Sequence, residues 1–413
     1  MTISPDFLAD AANARAGDQR TRARRSLLVS VLVLTIWLIF VSTNGHWGRV
    51  GDRWWAALTM IFGGIVAGAT PQGGGAVAFP VFTKIVEVPA TVARSFSLFI
   101  QTIGMGAASL SILITNRRVD WRSLSRIAPA AVAGFLAAAW LIGDSDTPYW
   151  PSTLPPAYVK VTFTIVVAVM AALVWLGDRD WFAVHVDTVG RTSRRADGLL
   201  LASGAAGGVA SFLVGSGADV FAYLGLVALL GLAGRVGVPT SVVAMAVVSI
   251  VGFMLFGIVD GQLSIALNDA GDVVTVGGVE MATPVQGDRY DLFGLWLAAV
   301  PVVGFGAPLG SWLASKASDK TLVRVVVGLA LAEILTTAVF LDELRTNPSL
   351  VIFALSGLVV GLLGSALVFR NRHWLLGIPA ATVEATIRPT RNRLDRDRLA
   401  EQRSGGDSDE AHR

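Results

Sequence analysis

Gly68-Ala-Thr-Pro-Gln-Gly-Gly-Gly-Ala-Val-Ala-Phe-Pro80 is a glycine-rich interruption within a long apolar stretch of the chain. A weaker version, Gly207-Gly-Val-Ala-Ser-Phe-Leu-Val-Gly-Ser-Gly-Ala-Asp219, follows in the second half. Glycine inside a helix costs about 1 kcal/mol relative to alanine, and backbone left unpaired in lipid costs several times more. Such a break is therefore tolerated only where it is packed in protein or lines a polar cavity. Paired breaks in corresponding halves of a membrane chain are typical of a substrate site between two repeats.

The composition of the chain is that of a membrane protein. Hydrophobic residues make up 53% of its 413 residues and charged residues only 15%, and the mean hydropathy is +0.62. These values predict an all-α polytopic membrane protein. The chain has no cysteine, and its histidines all fall outside the apolar runs: His46, His185, His373 and His412. We therefore expect no disulfide, no intramembrane metal site and no cofactor.

The basic residues lie mainly in loops and tails, where they set the orientation of membrane helices and do not indicate nucleic-acid binding. If each broken segment returns to the side from which it entered, the arginine-rich loops all fall on one side. If the first broken segment crossed once, the loop from Arg117 to Arg126 would lie outside, against the positive-inside rule. The charges thus predict two re-entrant helical hairpins and two cytoplasmic termini in a multi-pass protein of the cell membrane.

The apolar runs divide the chain into successive regions. No small-residue cleavage site follows the first run, which favours a retained transmembrane helix over a signal peptide. Alternating apolar residues around Gly277-Gly278 predict a short β-hairpin within the longest loop. In order, we predict a cytoplasmic N-terminal tail at 1–25, the first transmembrane helix at 26–43, transmembrane repeat 1 at 54–177, a cytoplasmic linker at 178–197, transmembrane repeat 2 at 198–340 with an outer loop at 259–291, the last transmembrane helix at 349–370 and a disordered cytoplasmic tail at 371–413.

The two repeats align through glycine, proline and tryptophan. Because the first half begins outside and the second begins inside, the repeats are predicted to be inverted, with a site at their interface. The matched positions are Gly63-Gly64 with Gly207-Gly208, Val88-Pro89 with Val238-Pro239, and Pro129, Gly134 and Trp140 with Pro301, Gly306 and Trp312.

The first break reads Pro71-Gln-Gly-Gly-Gly75 and is followed by Pro80, whereas the second reads Gly215-Ser-Gly-Ala-Asp219. With a break of this kind in each half, the chain resembles the sulfite exporter TauE/SafE family of membrane permeases over residues 54–370. The second break departs from the family pattern, because it lacks the glycine triplet and carries a carboxylate where the first has Gly75. The resemblance implies transport, commonly outward, of small anions such as sulfite or organosulfonates.

The chemistry of the breaks also favours a small anion. A helix that starts after a break presents unpaired N–H groups and the positive end of its dipole, and glycine lets a ligand approach the backbone. The alternative is that the glycines serve only close helix packing. The predicted substrate-binding residues of the two breaks are Gln72, Gly73, Gly74, Gly75, Gly215, Ser216 and Gly217.

Three further positions and two carboxylates complete the candidate residues. Ser97 and Gln101 follow Arg94 on one helix face, so these side chains suit a cavity wall in which arginine binds sulfonate or carboxylate oxygens. An arginine that extends to the interface is equally open. Carboxylates at membrane depth indicate function, so Asp219 and Glu333 are candidates for proton coupling. Asp219 also suits a helix N-terminus, and Glu333 suits an ion pair with Lys160 or Arg324.

The sequence thus predicts a secondary transporter, an exporter of small organic or sulfur oxyanions, with no catalytic residue. Its predicted partners are the anion, a coupled proton and the lipid bilayer. No nucleotide-binding P-loop pattern is present in the sequence, which argues against ATP-driven transport by this chain alone. A passive anion channel, an uptake permease for another small anion, a membrane enzyme and a scaffold stay open as alternatives, as does a homo-oligomer.

Overall fold

The computed structural model describes residues 5–86, 88, 90–142, 155–177, 194–259 and 292–370. Every secondary-structure element in these ranges is a helix. Wide π-helical turns continue three of the helices, over Val81–Ile85, Leu224–Leu229 and Phe253–Val259. The described α-helices are α1 (Pro5–Thr43), α2 (Trp47–Asp52), α3 (Trp54–Ala69), α4 (Gly75–Pro80), α5 (Ala90–Ile114), α6 (Trp121–Ile142), α7 (Pro156–Gly177), α8 (Arg194–Val214), α9 (Ala218–Tyr223), α10 (Gly234–Gly252), α11 (Leu292–Lys316), α12 (Asp319–Phe340), α13 (Glu343–Thr346) and α14 (Pro348–Arg370).

Eight of the described helices are long and apolar enough to cross a membrane, which takes about 20 residues. They are α1, α5, α6, α8, α10, α11, α12 and α14. The predicted all-α, multi-pass membrane class is therefore confirmed.

Two helices begin earlier than the hydropathy pattern indicates. α1 starts at Pro5 and so includes most of the predicted tail 1–25, and α8 starts at Arg194, inside the predicted linker. Arginine is a good helix former, so a helix can continue past the end of its apolar run. The predicted hairpin and outer loop beyond Val259, linker residues 178–193 and the tail 371–413 lie outside the described residues.

Each glycine-rich segment separates a long helix from a short one. Residues 70–74 separate α3 from α4, with Gly73 at φ +66°. Residues 215–217 separate α8 from α9, with Gly217 at φ +145°. Residues with a Cβ rarely adopt these φ angles. Glycine at these two positions therefore allows the chain to turn between the long helix and the short one.

Both short helices lie against the long helix that precedes them. A methyl group at Gly63 of α3 would lie 3.6 Å from the Cβ of Val77 on α4. A methyl group at Gly207 of α8 would lie 3.1 Å from the Cβ of Phe221 on α9. Gly63 and Gly207 are aligned positions of the sequence repeat, so the same glycine pair supports the same contact in both halves.

The long helices also pack in matching pairs. α3 packs on α11 at Gly64, where a methyl group would lie 3.1 Å from the Cα of Val303. α8 packs on α6 at Gly208, where a methyl group would overlap the carbonyl group of Ala131. Position 64 aligns with 208, and 131 aligns with 303. Outside the breaks, these glycines therefore serve close helix packing.

α5 lies at the centre of these helices and positions the candidate site. It packs on α3 and α4 of the first half and on α8, α10 and α11 of the second. Its side chains from Ala93 to Gln101 are buried throughout. Side chains on α5 therefore reach both breaks.

Candidate functional site

The two breaks are in direct contact in the interior of the protein. The hydroxyl of Ser216 in the second break donates a hydrogen bond to the carbonyl oxygen of Gln72 in the first, at 3.4 Å. A methyl group at Gly75 would lie 2.9 Å from the Cβ of Ser216. Ser216 is fully buried, and Gln72 is 1% exposed. Residues that are far apart in sequence thus form one buried junction.

Two polar side chains of α5 join this junction. The hydroxyl of Ser97 donates to the carbonyl oxygen of Gly215 at 3.1 Å, and the amide Nε2 of Gln101 donates to the same oxygen at 2.6 Å. A methyl group at Gly75 would overlap both of these side-chain groups. The absence of a side chain at Gly75 therefore leaves room for α5 to contact both breaks.

The contacts of Gln101 fix the orientation of its amide. Nε2 also donates to the carbonyl oxygen of Ser97 at 3.1 Å, so it faces two carbonyl oxygens that only an N–H group can satisfy. The amide oxygen Oε1 must then point away from Gly215. It has no hydrogen-bond partner among the described residues.

Asp219 faces the same place from the other break. Its Oδ1 accepts a hydrogen bond from the N–H of Val220 at 2.9 Å, and its buried Oδ2 has no partner among the described residues. Oδ2 of Asp219 and Oε1 of Gln101 would each lie 2.6 Å from a methyl group at Gly73. Two hydrogen-bond acceptors thus converge beside Gly73.

The N-termini of the two short helices differ. The N–H of Ala218, at the start of α9, donates to the hydroxyl of Ser211 at 2.9 Å. The N-cap of α4, Gly74, has no side-chain hydrogen bond. A side chain therefore satisfies the first N–H of α9, although its N-cap, Gly217, also has no side-chain hydrogen bond. In the first break the hydroxyl of Thr70 accepts from the N–H of Gln72 at 3.3 Å.

Arg94 is buried beside the junction, with 1% of its surface exposed. Its guanidinium carbon lies 4.7 Å from the ring centre of Phe256 and 5.4 Å from that of Phe212, both in cation–π range. The carbonyl group of Arg94 adjoins Gly215. The guanidinium group of Arg94 is therefore enclosed by protein and covered by the rings of Phe212 and Phe256.

Three other residues that were predicted to bind substrate make their closest contacts with neighbouring helices. The side chain of Gln72 donates to the carbonyl oxygen of Val326 on α12 at 3.3 Å. Gly74 lies against Gly63 of α3, and Gly217 lies against Ala210 of α8. These residues connect the breaks to neighbouring helices.

A comparison with protein families identifies the type of protein that carries this junction. The sequence model of the sulfite exporter TauE/SafE family matches residues 15–147 and 56–337. The chain belongs to the sulfite exporter TauE/SafE family. Most of this TauE/SafE chain is covered by the match, including both breaks and α5. No curated protein and no solved structure matches the chain.

Glu333 of this TauE/SafE protein lies between α12 and α7. Its Oε1 accepts hydrogen bonds from the hydroxyls of Thr164 at 2.9 Å and Thr337 at 3.2 Å. Arg324, one of the predicted ion-pair partners, is exposed. Hydroxyl groups on both helices thus hold the Glu333 carboxylate.

The structure adds residues that the sequence did not single out. Ser211 contacts the start of α9, and Phe212 and Phe256 stack on Arg94. A serine four residues before the second break was a detectable signal, because serine hydroxyls often satisfy helix N-termini. The aromatic pair gave no such signal, since Phe256 lies 162 positions after Arg94 in the sequence.

Proposed function

We propose that this TauE/SafE protein is a secondary transporter that exports small sulfur oxyanions or organosulfonates. The anion would bind where the two breaks and α5 meet. The observation that carries this proposal is the buried contact of Gly73 and Gly75 with Ser97, Gln101 and Ser216, placed in a chain of a transporter family. Residues assigned to substrate binding are Gln72, Gly73, Gly74, Gly75, Arg94, Ser97, Gln101, Gly215, Ser216 and Gly217.

The proposed architecture is a pair of inverted repeats, 54–177 and 198–340, each with a re-entrant hairpin. The matched contacts of Gly64 with Val303 and of Gly208 with Ala131 support this relationship. In this proposal the first and last transmembrane helices flank the repeats, and the arginine-rich loops support a cytoplasmic location of both termini. The binding junction then lies at the interface of the repeats, as in other transporters of this plan.

The junction contains several hydrogen-bond donors that could bind an anion at a small cost in free energy. The hydroxyls of Ser97 and Ser216 donate to backbone carbonyls at 3.1 and 3.4 Å, so these bonds can be exchanged for bonds to a ligand oxygen. Gly73 and Gly75 have no side chain, so a ligand that displaces the neighbouring Ser97 and Gln101 side chains could reach their backbone. The buried charge of Arg94 adds a positive potential, which low-dielectric surroundings strengthen.

We further propose that Asp219 binds a proton together with the anion. Oδ2 of Asp219 and Oε1 of Gln101 converge without a donor between them, and a proton on Asp219 supplies that donor. A neutral carboxyl also removes the repulsion between Asp219 and an anion. The charged side chains on helices that pack on α9 are Arg194, Arg195 and Asp197 of α8, Arg235 of α10 and Lys160 of α7. Within the described residues, none of these five side chains forms an ion pair with the carboxylate of Asp219.

The function is tested by flux in vesicles that contain the purified full-length protein. Vesicles loaded with sulfite, sulfoacetate, taurine, sulfate, acetate or formate are diluted into anion-free buffer, and efflux is followed. We expect efflux of sulfite or a sulfonate that saturates with concentration and is slowed by Ser97→Ala. Ser109→Ala is the matched control, since Ser109 lies on the same helix and its hydroxyl has no described partner. Efflux that does not saturate favours a channel, and equal rates in the two variants contradict the proposed site.

A further inference from the structure

A pocket lined by polar residues lies at one end of the helices, away from the junction of the two breaks. It is shallow, with a cavity volume of about 10 Å³, which is room for about one water molecule, and it is partly open, so a larger ligand would bind at its mouth. It brings together the N-terminal part of α1, the end of α5 and the end of α11. The lining residues are Arg22, Ser26, Ser111, Thr115, Arg117 and three residues of α11, Ser311, Trp312 and Ser315.

Arg117 supplies the unused donors of this pocket. Its Nη1 donates to the carbonyl oxygen and to the hydroxyl oxygen of Ser311, both at 2.9 Å. A guanidinium group has five N–H donors, and no described residue accepts a hydrogen bond from Nε or Nη2 of Arg117. No carboxylate of the described residues forms an ion pair with it. The group is thus held in place and keeps donors for a ligand.

The pocket also concentrates positive charge. Burial, and next the nearby charge of Arg22, lower the pKa of Arg117 to about 10, so the group stays charged at neutral pH. The surrounding hydroxyls form a fixed frame. Ser26 donates to the carbonyl oxygen of Pro308 at 3.0 Å and lies 2.8 Å from the hydroxyl of Ser111. Two cations in a hydroxyl-lined pocket form a site that favours an oxyanion.

The surroundings of the pocket are apolar and exposed. Leu27 and Leu28 of α1 are 51% and 62% exposed, and Leu113 and Ile114 of α5 are each 40% exposed. In a membrane protein such side chains face acyl chains, so the pocket lies at the level of lipid headgroups. Basic pockets between helices on the cytoplasmic side bind anionic headgroups. That side assignment rests on the topology proposed above.

We propose that this pocket binds a phosphate group, supplied either by an anionic phospholipid or by free inorganic phosphate. Arg117 binds the phosphate oxygens through Nε and Nη2, and Arg22 adds a second positive charge. The hydroxyl of Ser311, which already accepts from Arg117, donates to the same ligand. The site is separate from the junction of the breaks and holds together α1, α5 and α11.

The test uses the purified full-length protein and compares Arg117→Gln with Arg118→Gln. Both variants remove one charge from the same loop, but Arg118 does not line the pocket. Native mass spectrometry measures retained phosphatidylglycerol against phosphatidylcholine, and thermal melting measures the effect of inorganic phosphate. We expect Arg117→Gln to weaken binding about tenfold, as the loss of one charge-assisted contact does, and Arg118→Gln to behave like the wild type.

The two assays separate the sources of the phosphate group. A preference for phosphatidylglycerol that depends on Arg117 identifies the lipid, whereas a melting shift by inorganic phosphate alone identifies the free anion. Equal results for both variants in both assays overturn the proposal. If Arg117→Gln does not fold, Arg22→Gln is read by the same criteria. Gln101→Leu is measured in parallel, and a phosphate effect that this variant alone removes belongs to the breaks and also overturns the pocket proposal.

Discussion

The amide oxygen of Gln101 and the Oδ2 atom of Asp219 converge on Gly73, and neither has a hydrogen-bond partner among the described residues. Gln101 cannot rotate its amide to relieve this arrangement, because Nε2 is bonded to the carbonyl oxygens of Ser97 and Gly215. A buried acceptor without a donor costs about 1–3 kcal/mol. A proton or a ligand that donates to both oxygens removes that cost.

The first prediction concerns Asp219→Asn. Asparagine carries an N–H donor in place of the ionisable carboxyl, so we expect the variant to bind the anion with little dependence on pH. In the wild type the proton is present at low pH, and anion binding should weaken as the pH rises and the proton is lost. The measurement is the melting shift at acidic and alkaline pH caused by an organosulfonate, because a sulfonate group keeps its charge over this range whereas sulfite itself is protonated near neutral pH.

The control for this variant is Asp197→Asn. Asp197 pairs with Arg126 at 2.7 Å at the start of α8, outside the junction. The Asp197→Asn variant should show the same pH dependence of anion binding as the wild type. If Asp219→Asn keeps it as well, the proton is bound elsewhere.

A second prediction concerns Gln101→Glu. The change replaces an N–H group that faces two carbonyl oxygens by a carboxylate of the same size. We expect a loss of about 1–3 kcal/mol in the free energy of unfolding near neutral pH. Protonation of the new carboxyl restores a donor, so the loss should diminish as the pH falls. Thermal melting across pH, with the wild type in parallel, checks this, and a pH-independent loss would speak against the orientation of Gln101.

A third prediction compares Gly75→Ala with Gly106→Ala. A methyl group at Gly75 overlaps Ser97 and Gln101, whereas one at Gly106 meets nothing within 4 Å. We expect Gly75→Ala to lower stability by about 1–3 kcal/mol, as overpacking does, and to abolish anion efflux. Gly106→Ala should be neutral or stabilising by up to about 1 kcal/mol. Equal efflux in both variants would show that the space at Gly75 is not used.

A fourth prediction concerns the matched helix pairs. Methyl groups at Gly68 and Gly208 overlap the carbonyl groups of Ala307 and Ala131, respectively. Positions 68 and 208 are not aligned in the repeat, but each is a close backbone contact of its helix pair, so Gly68→Ala and Gly208→Ala should each destabilise the protein by about 1–3 kcal/mol. Gly328→Ala is the control, since nothing lies within 4 Å of a methyl group there. A variant that loses no stability would show that its helix pair does not depend on the close backbone contact.

A fifth prediction separates the two buried carboxylates. Glu333 is bonded to Thr164 and Thr337, away from the junction. Glu333→Gln keeps an acceptor for both hydroxyls, so we expect flux and its pH dependence to stay close to those of the wild type. Vesicle flux at two pH values checks this. A loss of pH dependence in Glu333→Gln would assign proton coupling to Glu333.

The sequence was informative where the signal is local. Gly73 and Gly217 adopt positive φ angles, which glycine runs in an apolar segment indicate directly. The helical spacing of Ser97 and Gln101 also predicted that the two side chains share one face of α5. Both features depend on residues within a few positions of each other.

Other features depend on residues that only folding brings together. The rings that cover Arg94 come from α8 and from the π-helical turn that follows α10. Apolar patterning does not specify which rings meet which charge. The partner of Gln72 is the backbone carbonyl of Val326, 254 positions away. The start of α1 was missed for another reason, because hydropathy reports the membrane span and not the full length of the helix.

The most direct test of the central claim is the thermal stability of the purified full-length protein with a panel of anions at matched ionic strength. A ligand at a hundred times its dissociation constant stabilises a protein by about 2.7 kcal/mol. We predict that sulfite or an organosulfonate raises the melting temperature of the wild type, and that Gln101→Leu and Gly75→Ala lose this shift while Gly106→Ala keeps it. A panel in which no anion shifts the wild type, while a cation or a neutral solute does, would contradict an anion site at the junction of the two breaks.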